Sequence, residues 1–233
     1  TVQGMIDSGR TMEDPITRTR LQRKASTKEY ASADILRKLA NDYATERYGI
    51  SLPNLPNIEQ VNERLIVAAR TGNADVVRTL IQAGANVHAN GNQALCEASE
   101  NGHANVVRVL LEAGANVHVN EDEPLCWAAQ IGDADLVHLL LQAGANVHAQ
   151  DEYPICLASE NGHANVVRVL LEAGADVHVD EDEPLRWAAQ IGDADLVHLL
   201  LQEGANVHAK DDDPLREASY NGHVDVVRVL LEA

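Results

Sequence analysis

The stretch NGHANVVRVLLEAGANVH, residues 101–118, returns with a single change as NGHANVVRVLLEAGADVH at 161–178. Within it Val106, Val107, Leu110 and Leu111 fall at i, i+1, i+4 and i+5, which is one face of a helix. Gly114 ends that run where a left-handed residue is easiest. Upstream, Leu95 and Ala98 begin a shorter helix that ends at Gly102. Each unit therefore reads as helix, tight turn, helix, then a short extended finger around Val117 and Val119. Working outward, Gly-Ala recurs at Gly84, Gly114, Gly144, Gly174 and Gly204, a strict period of 30, each time followed by Asn or Asp, Val and His. A second period of 60 is superimposed: segments 98–142 and 158–202 differ only at Asn116/Asp176, Asn120/Asp180 and Cys126/Arg186, as expected of a duplicated two-unit block. A helix pair this short cannot bury its apolar face alone, so neighbours must stack and only adjacent units touch.

Composition agrees with such a stack. The 233 residues include no Phe and only 3% aromatics, so the core must be built from Ala, Val and Leu. β-Sandwiches and aromatic platforms for RNA bases are poor fits to that inventory. The 36 acidic and 18 basic side chains give a formal charge of −18, which repels a phosphate backbone and argues against nucleic acid or an anionic membrane as partner. No run of 18 apolar residues is present, and residues 1–30 lack the basic-then-apolar layout of a secretory signal. Three cysteines do not make a disulfide framework, so a reducing, cytoplasmic compartment is expected. The charge is uneven. Residues 1–57 hold nine Lys/Arg and seven Asp/Glu (+2), and residues 58–233 hold nine and 29 (−20). The break falls at a stretch with two prolines, 51–57, which forbids a regular helix.

Residues 61–233 resemble ankyrin repeats. The matching residues are Glu-Pro-Leu at 123–125 and 183–185, Ala128-Ala129, Asn-Gly-His at 101–103, Val-Val-Arg-Val-Leu-Leu at 106–111 and Gly-Ala-Asn-Val-His at 114–118. The resemblance implies an all-α solenoid of about six helix pairs with short fingers, whose first helices line a concave, protein-binding side. Two departures stand out. The unit is 30 residues against the usual 33 or so, the missing residues falling between Val117 and Leu125. The family's Thr-Pro-Leu-His is also altered, with Gln93, Glu123, Tyr153, Glu183 or Asp213 in place of Thr and Cys or Arg in place of His.

Residues 1–48 read as a separate segment and 49–60 as a linker. Ser32 can cap a helix over 33–48 with Ile35, Leu36, Leu39 and Tyr43 as its apolar stripe, which would close the end of a solenoid. Val2 to Tyr43, with Met5-Ile6, Asp14-Pro15-Ile16-Thr17-Arg18, Leu21 and Leu36-Arg37, also resembles the second half of a U-box, the zinc-free relative of the RING domain. That resemblance implies a ubiquitin ligase in which Pro15 and Arg18 contact a ubiquitin-conjugating enzyme. The absence of an initiator Met and the stop at Ala233, just before the next expected Gly-Ala, point to a piece of a longer protein.

Candidate chemistry is sparse. Cys96, Cys126 and Cys156 occupy one position in three successive units, about 10 Å apart along the stack, too far for a disulfide or a shared zinc. The ten histidines are likewise repeat positions. The runs 121–123, 181–183 and 211–213 lack the alternating ligands and central glycine of a calcium loop and read as solvated finger tips. No nucleophile and base pair, phosphate loop or metal spacing is visible, so no catalytic residue, metal or cofactor is assigned. Trp127 and Trp187, the only tryptophans, share a first-helix position with Glu97, Leu157 and Glu217, and either fill gaps between units or anchor a partner. The expected function is binding of a basic protein surface by an acidic concave face. That face comprises Trp127, Trp187, Tyr153, Glu97, Leu157, Glu217, Glu123, Glu183 and Asp213. The alternative is the substrate arm of a U-box ligase. Near-identical tandem units also resemble ankyrin effectors that intracellular bacteria and large viruses direct at host proteins, which would place the chain in a host cytosol.

Overall fold

A computed structural model describes residues 58–233. The described residues form twelve helices and no strand. They pair as α1 (Ile58–Arg70) with α2 (Ala74–Gln82), α3 (Ala89–Glu100) with α4 (Ala104–Glu112), and α5 (Glu123–Ile131) with α6 (Ala134–Gln142). The array continues as α7 (Ala149–Glu160) with α8 (Ala164–Glu172), α9 (Val179–Ile191) with α10 (Ala194–Gln202), and α11 (Ala209–Tyr220) with α12 (Val224–Glu232). These are the six helix pairs expected. Arg64–Ala233 is one compact unit. The proposed capping helix 33–48, the U-box-like segment with Pro15 and Arg18, and most of the linker lie outside the described residues.

First helices stack on first helices (α3 on α5, α5 on α7, α7 on α9, α9 on α11), and second helices stack in the same order from α2 to α12. One large aliphatic side chain per unit sits in the middle of the first layer: Leu95, Leu125, Ile155 and Leu185 are all fully buried. The second layer buries Val106 and Leu110, Leu136 and Leu140, Val166 and Leu170, and Leu196 and Leu200 to the same degree. No aromatic side chain is needed anywhere in this core.

The finger is where the structure departs from the sequence reading. It is not extended. Residues 120–122 all have positive φ (48, 58 and 63°), and so do 90–92, 150–152, 180–182 and 210–212. Three left-handed residues in succession make one tight turn, closed for example by Glu123 N–H donating to the Val119 carbonyl at 3.2 Å. This turn replaces the longer finger of a 33-residue unit. The right-handed helix starts only after it, so Pro124, Pro154, Pro184 and Pro214 each occupy a first turn, where a missing N–H costs nothing. Left-handed geometry costs a non-glycine residue about 1–2 kcal/mol, so each turn needs restraint from its surroundings.

That restraint comes from the centre of the finger, and it corrects the reading of the acidic runs as uniformly solvated. Asp122 and Asp182 are 6% and 5% exposed. Asp122 Oδ1 accepts from His118 Nδ1 at 3.0 Å and from the Asn146 backbone N–H of the next unit at 3.1 Å. Asp182 does the same with His178 (2.9 Å) and Asn206 N–H (2.9 Å). Asn92 bridges His88 and Asn116 N–H, both at 3.0 Å, and Glu152 bridges His148 and Asp176 N–H. Because a carboxylate or amide oxygen only accepts, Nδ1 is the donor in each of these pairs. The departure from Thr-Pro-Leu-His is thus compensated by a different polar ladder, with one rung between each pair of successive units from Asn92 to Asp182.

Candidate partner-binding face

The first helices α3, α5, α7, α9 and α11 place Glu97, Trp127, Leu157, Trp187 and Glu217 at one position, and the finger ends place Gln93, Glu123, Tyr153, Glu183 and Asp213 at another. Four of the expected binding residues converge. Glu123, Trp127, Tyr153 and Leu157 line one cleft of about 460 Å³ between α5 and α7, together with Glu121 and Gln150. Tyr153 is 47% exposed, Trp127 is half-buried, and Leu157, 6% exposed, forms part of the floor.

The other expected residues are differently engaged. Arg70 grips Glu97 in a bidentate pair, Nε to Oε2 at 2.7 Å and Nη2 to Oε1 at 2.9 Å. The Arg70 hydrogen bond holds the Glu97 carboxyl below the usual carboxylate range, against the opposing effect of its partial burial. Glu183 accepts from Arg186 Nη2 at 2.5 Å, and Asp213 accepts from Arg216 at 2.5 Å and lies 3.9 Å from Arg186 Nε. The guanidinium of Arg186 lies over the Trp187 ring, 4.5 Å from its centroid. Glu217 is half-buried. Three of the acidic residues expected to meet a partner therefore face arginines of the protein itself. Sequence reasoning missed these arginines because two of the contacts, Arg70 to Glu97 and Arg186 to Asp213, cross between units.

Charge that is not spent internally sits two residues earlier on the fingers. Glu121, Asp151, Glu181 and Asp211 are exposed, and none makes an ion pair among the described residues. A larger hollow, about 620 Å³, lies on the second-helix side and is lined by Asp75, Arg78, Arg108 and Glu112. Its charges are balanced, and Asp75 already pairs with Arg78 at 3.3 Å, so it selects no partner by sign.

Cys96, Cys126 and Cys156 are unbridged. Burial, with the nearby carboxylates adding to it, pushes all three thiols up to about 12. Against a free thiol near 8.5, that lowers the thiolate fraction on the order of 10³-fold. We expect alkylation by iodoacetamide at pH 8 to be slowed at least ~100-fold in the folded protein and restored in denaturant. Rapid labelling of the native chain would show that one of these thiols is reactive. Among the described residues, no group of three or more His, Cys, Asp or Glu could hold a metal ion, and no helix is long and apolar enough to cross a membrane.

Comparison with known proteins agrees with this geometry. The family model described as ankyrin repeats (3 copies) matches residues 30–121, 125–211 and 155–233. No curated protein matches the chain. Among solved structures, the human ASB11 ankyrin repeat domain is similar, with a TM-score of 0.64 and 32% identity over 72% of this chain and 82% of that one. The repeat spacing, the paired helices and the family match together establish that the chain belongs to the ankyrin-repeat family and is built as a protein–protein interaction module.

Proposed function

We propose that the face formed by the first helices and fingers of the array binds a protein partner with a basic surface. One observation carries this reading: Glu121, Asp151, Glu181 and Asp211 recur at a 30-residue interval, exposed and, among the described residues, without an ion pair. Like charges repeated along a stack raise the local potential and draw a basic surface toward it, chiefly through the association rate. The cleft at Trp127 and Tyr153 adds apolar area within the charged strip, the mixture found where a few anchors dominate binding.

The triple variant Glu121→Lys, Asp151→Lys, Glu181→Lys tests it. If each exposed charge contributes about 0.5–1 kcal/mol, binding of a lysine-rich peptide should weaken roughly 10–100-fold at low salt. Raising ionic strength should weaken the wild-type protein in the same way. Binding that ignores both salt and charge reversal would place the partner elsewhere. The ligase reading rests on the sequence of Val2–Tyr43 alone, and the ankyrin match already claims residues from 30 onward, so interaction rather than catalysis is preferred.

A further inference from the structure

The duplicated block offers an internal comparison. Segments 98–142 and 158–202 differ at three positions, and only one of these, Cys126 against Arg186, adjoins a tryptophan. At the second copy, Arg186 covers the Trp187 ring at 4.5 Å, donates to Glu183 at 2.5 Å and lies 3.9 Å from Asp213 of the next finger. The protein there fills the space above a tryptophan with its own guanidinium, between two carboxylates. At the first copy Cys126 is too short to reach, and Trp127 and Glu123, which correspond to Trp187 and Glu183, line an open cleft instead.

The position matching Asp213 is Tyr153 in this cleft, so one carboxylate is exchanged for a second aromatic wall. Glu121 contributes another carboxylate to the lining and has no ion pair among the described residues. Glu123 accepts from the Asn120 amide at 2.7 Å but pairs with no cation among the described residues. A tryptophan and a tyrosine with two carboxylates and no resident cation are complementary to a positive, planar group. Guanidinium suits it better than ammonium, because it is weakly hydrated, stacks on aromatic faces and donates from a rigid fork to a carboxylate.

We propose that the cleft between α5 and α7 is a receptor for an arginine side chain of the partner, seated over Trp127 with its N–H groups on Glu123, as Arg186 is seated over Trp187. This deepens the basic-partner reading and rests on it. It gives the two tryptophans different duties: Trp187 is satisfied within the chain, and Trp127 is the anchor for something outside.

The test uses the whole chain carrying Trp187→Phe, so that Trp127 is the sole tryptophan reporter. The probe is acetyl-Gly-Arg-Gly-amide, with the citrulline peptide as its uncharged isostere. Saturable change in Trp127 fluorescence is expected with the arginine peptide, at least 10-fold weaker with citrulline. Adding Cys126→Arg, which copies the second block into the first, should abolish the response by filling the cleft. Tyr153→Ala, at an exposed position, provides a second check and should weaken binding several-fold. If a decalysine peptide binds both wild type and Cys126→Arg with the same salt dependence and no preference for arginine emerges, the cleft assignment is overturned and the acidic face stands. Failure of every cationic peptide to bind would remove both.

Discussion

Replacing Asp182 by Ala is expected to lower stability by about 2–4 kcal/mol, with Asp182→Asn costing under about 1 kcal/mol and Asp212→Ala almost nothing. The ranking follows from what each side chain holds. Asp182 is 5% exposed, and one of its oxygens serves both His178 and the Asn206 N–H of the next unit. Deleting it strands a part-buried backbone N–H, at about 1–3 kcal/mol. It also releases the restraint on three left-handed residues, Asp180 to Asp182, whose geometry is unfavourable by itself. Asparagine retains the accepting oxygen, and the protein already uses it at Asn92 for the same pair of bonds. Asp212 has a similar φ, 61° against 64°, and the same histidine contact, at 2.6 Å, but it is exposed and bridges to no further unit among the described residues. Denaturant melts of the three variants provide the comparison. Equal losses at Asp182 and Asp212 would mean that the bond between units contributes nothing.

How much of this was legible in the sequence depends on the range of the interaction. Val106, Val107 and Leu110 announced their burial through helical spacing, and Gly114 announced its turn, because those signals lie within a few residues. The geometry of the finger is not legible locally because it is set by a partner 24 residues away: nothing local in Asp180-Glu181-Asp182 says that its last member will meet the Asn206 N–H. A clue was present in the recurrence of an acceptor four residues after each histidine, from His88/Asn92 to His208/Asp212. Its meaning emerges only once the units are stacked. The candidate face divides along the same line. Trp127 and Tyr153 were singled out as unusual residues, and the structure brings them to one cleft. Glu97, Glu183 and Asp213 were singled out by charge, which says nothing of the arginine that already answers each of them.

The second large effect is expected at Gly132, where Ala should cost about 2–4 kcal/mol, against about 1 kcal/mol for Gly222→Ala. Both glycines end a first helix with similar left-handed geometry, φ 80 and 76°, so the backbone penalty is shared. They differ in what lies over them. A Cβ on Gly132 would come within 2.5 Å of the His163 ring, whereas one on Gly222 would meet nothing among the described residues. His163 cannot simply swing away, because its Nε2 donates to the Gln130 carbonyl across the interface at 3.0 Å. The same arrangement sets His103 on Gly72 and His223 on Gly192, each histidine donating into the preceding unit. The alternate glycines, Gly102 and Gly162, instead meet the Cδ1 of Ile131 and Ile191 at 3.1 and 3.0 Å. Two kinds of interface therefore alternate along the stack, which is the physical content of the 60-residue period. A histidine-bearing unit fits on a glycine that leaves its ring room, and an isoleucine-bearing unit fits on the next. The difference between Gly132→Ala and Gly222→Ala measures the histidine contact with the backbone cost cancelled. A difference below about 0.5 kcal/mol would mean that the alternation reflects duplication alone, with no fit between unlike units.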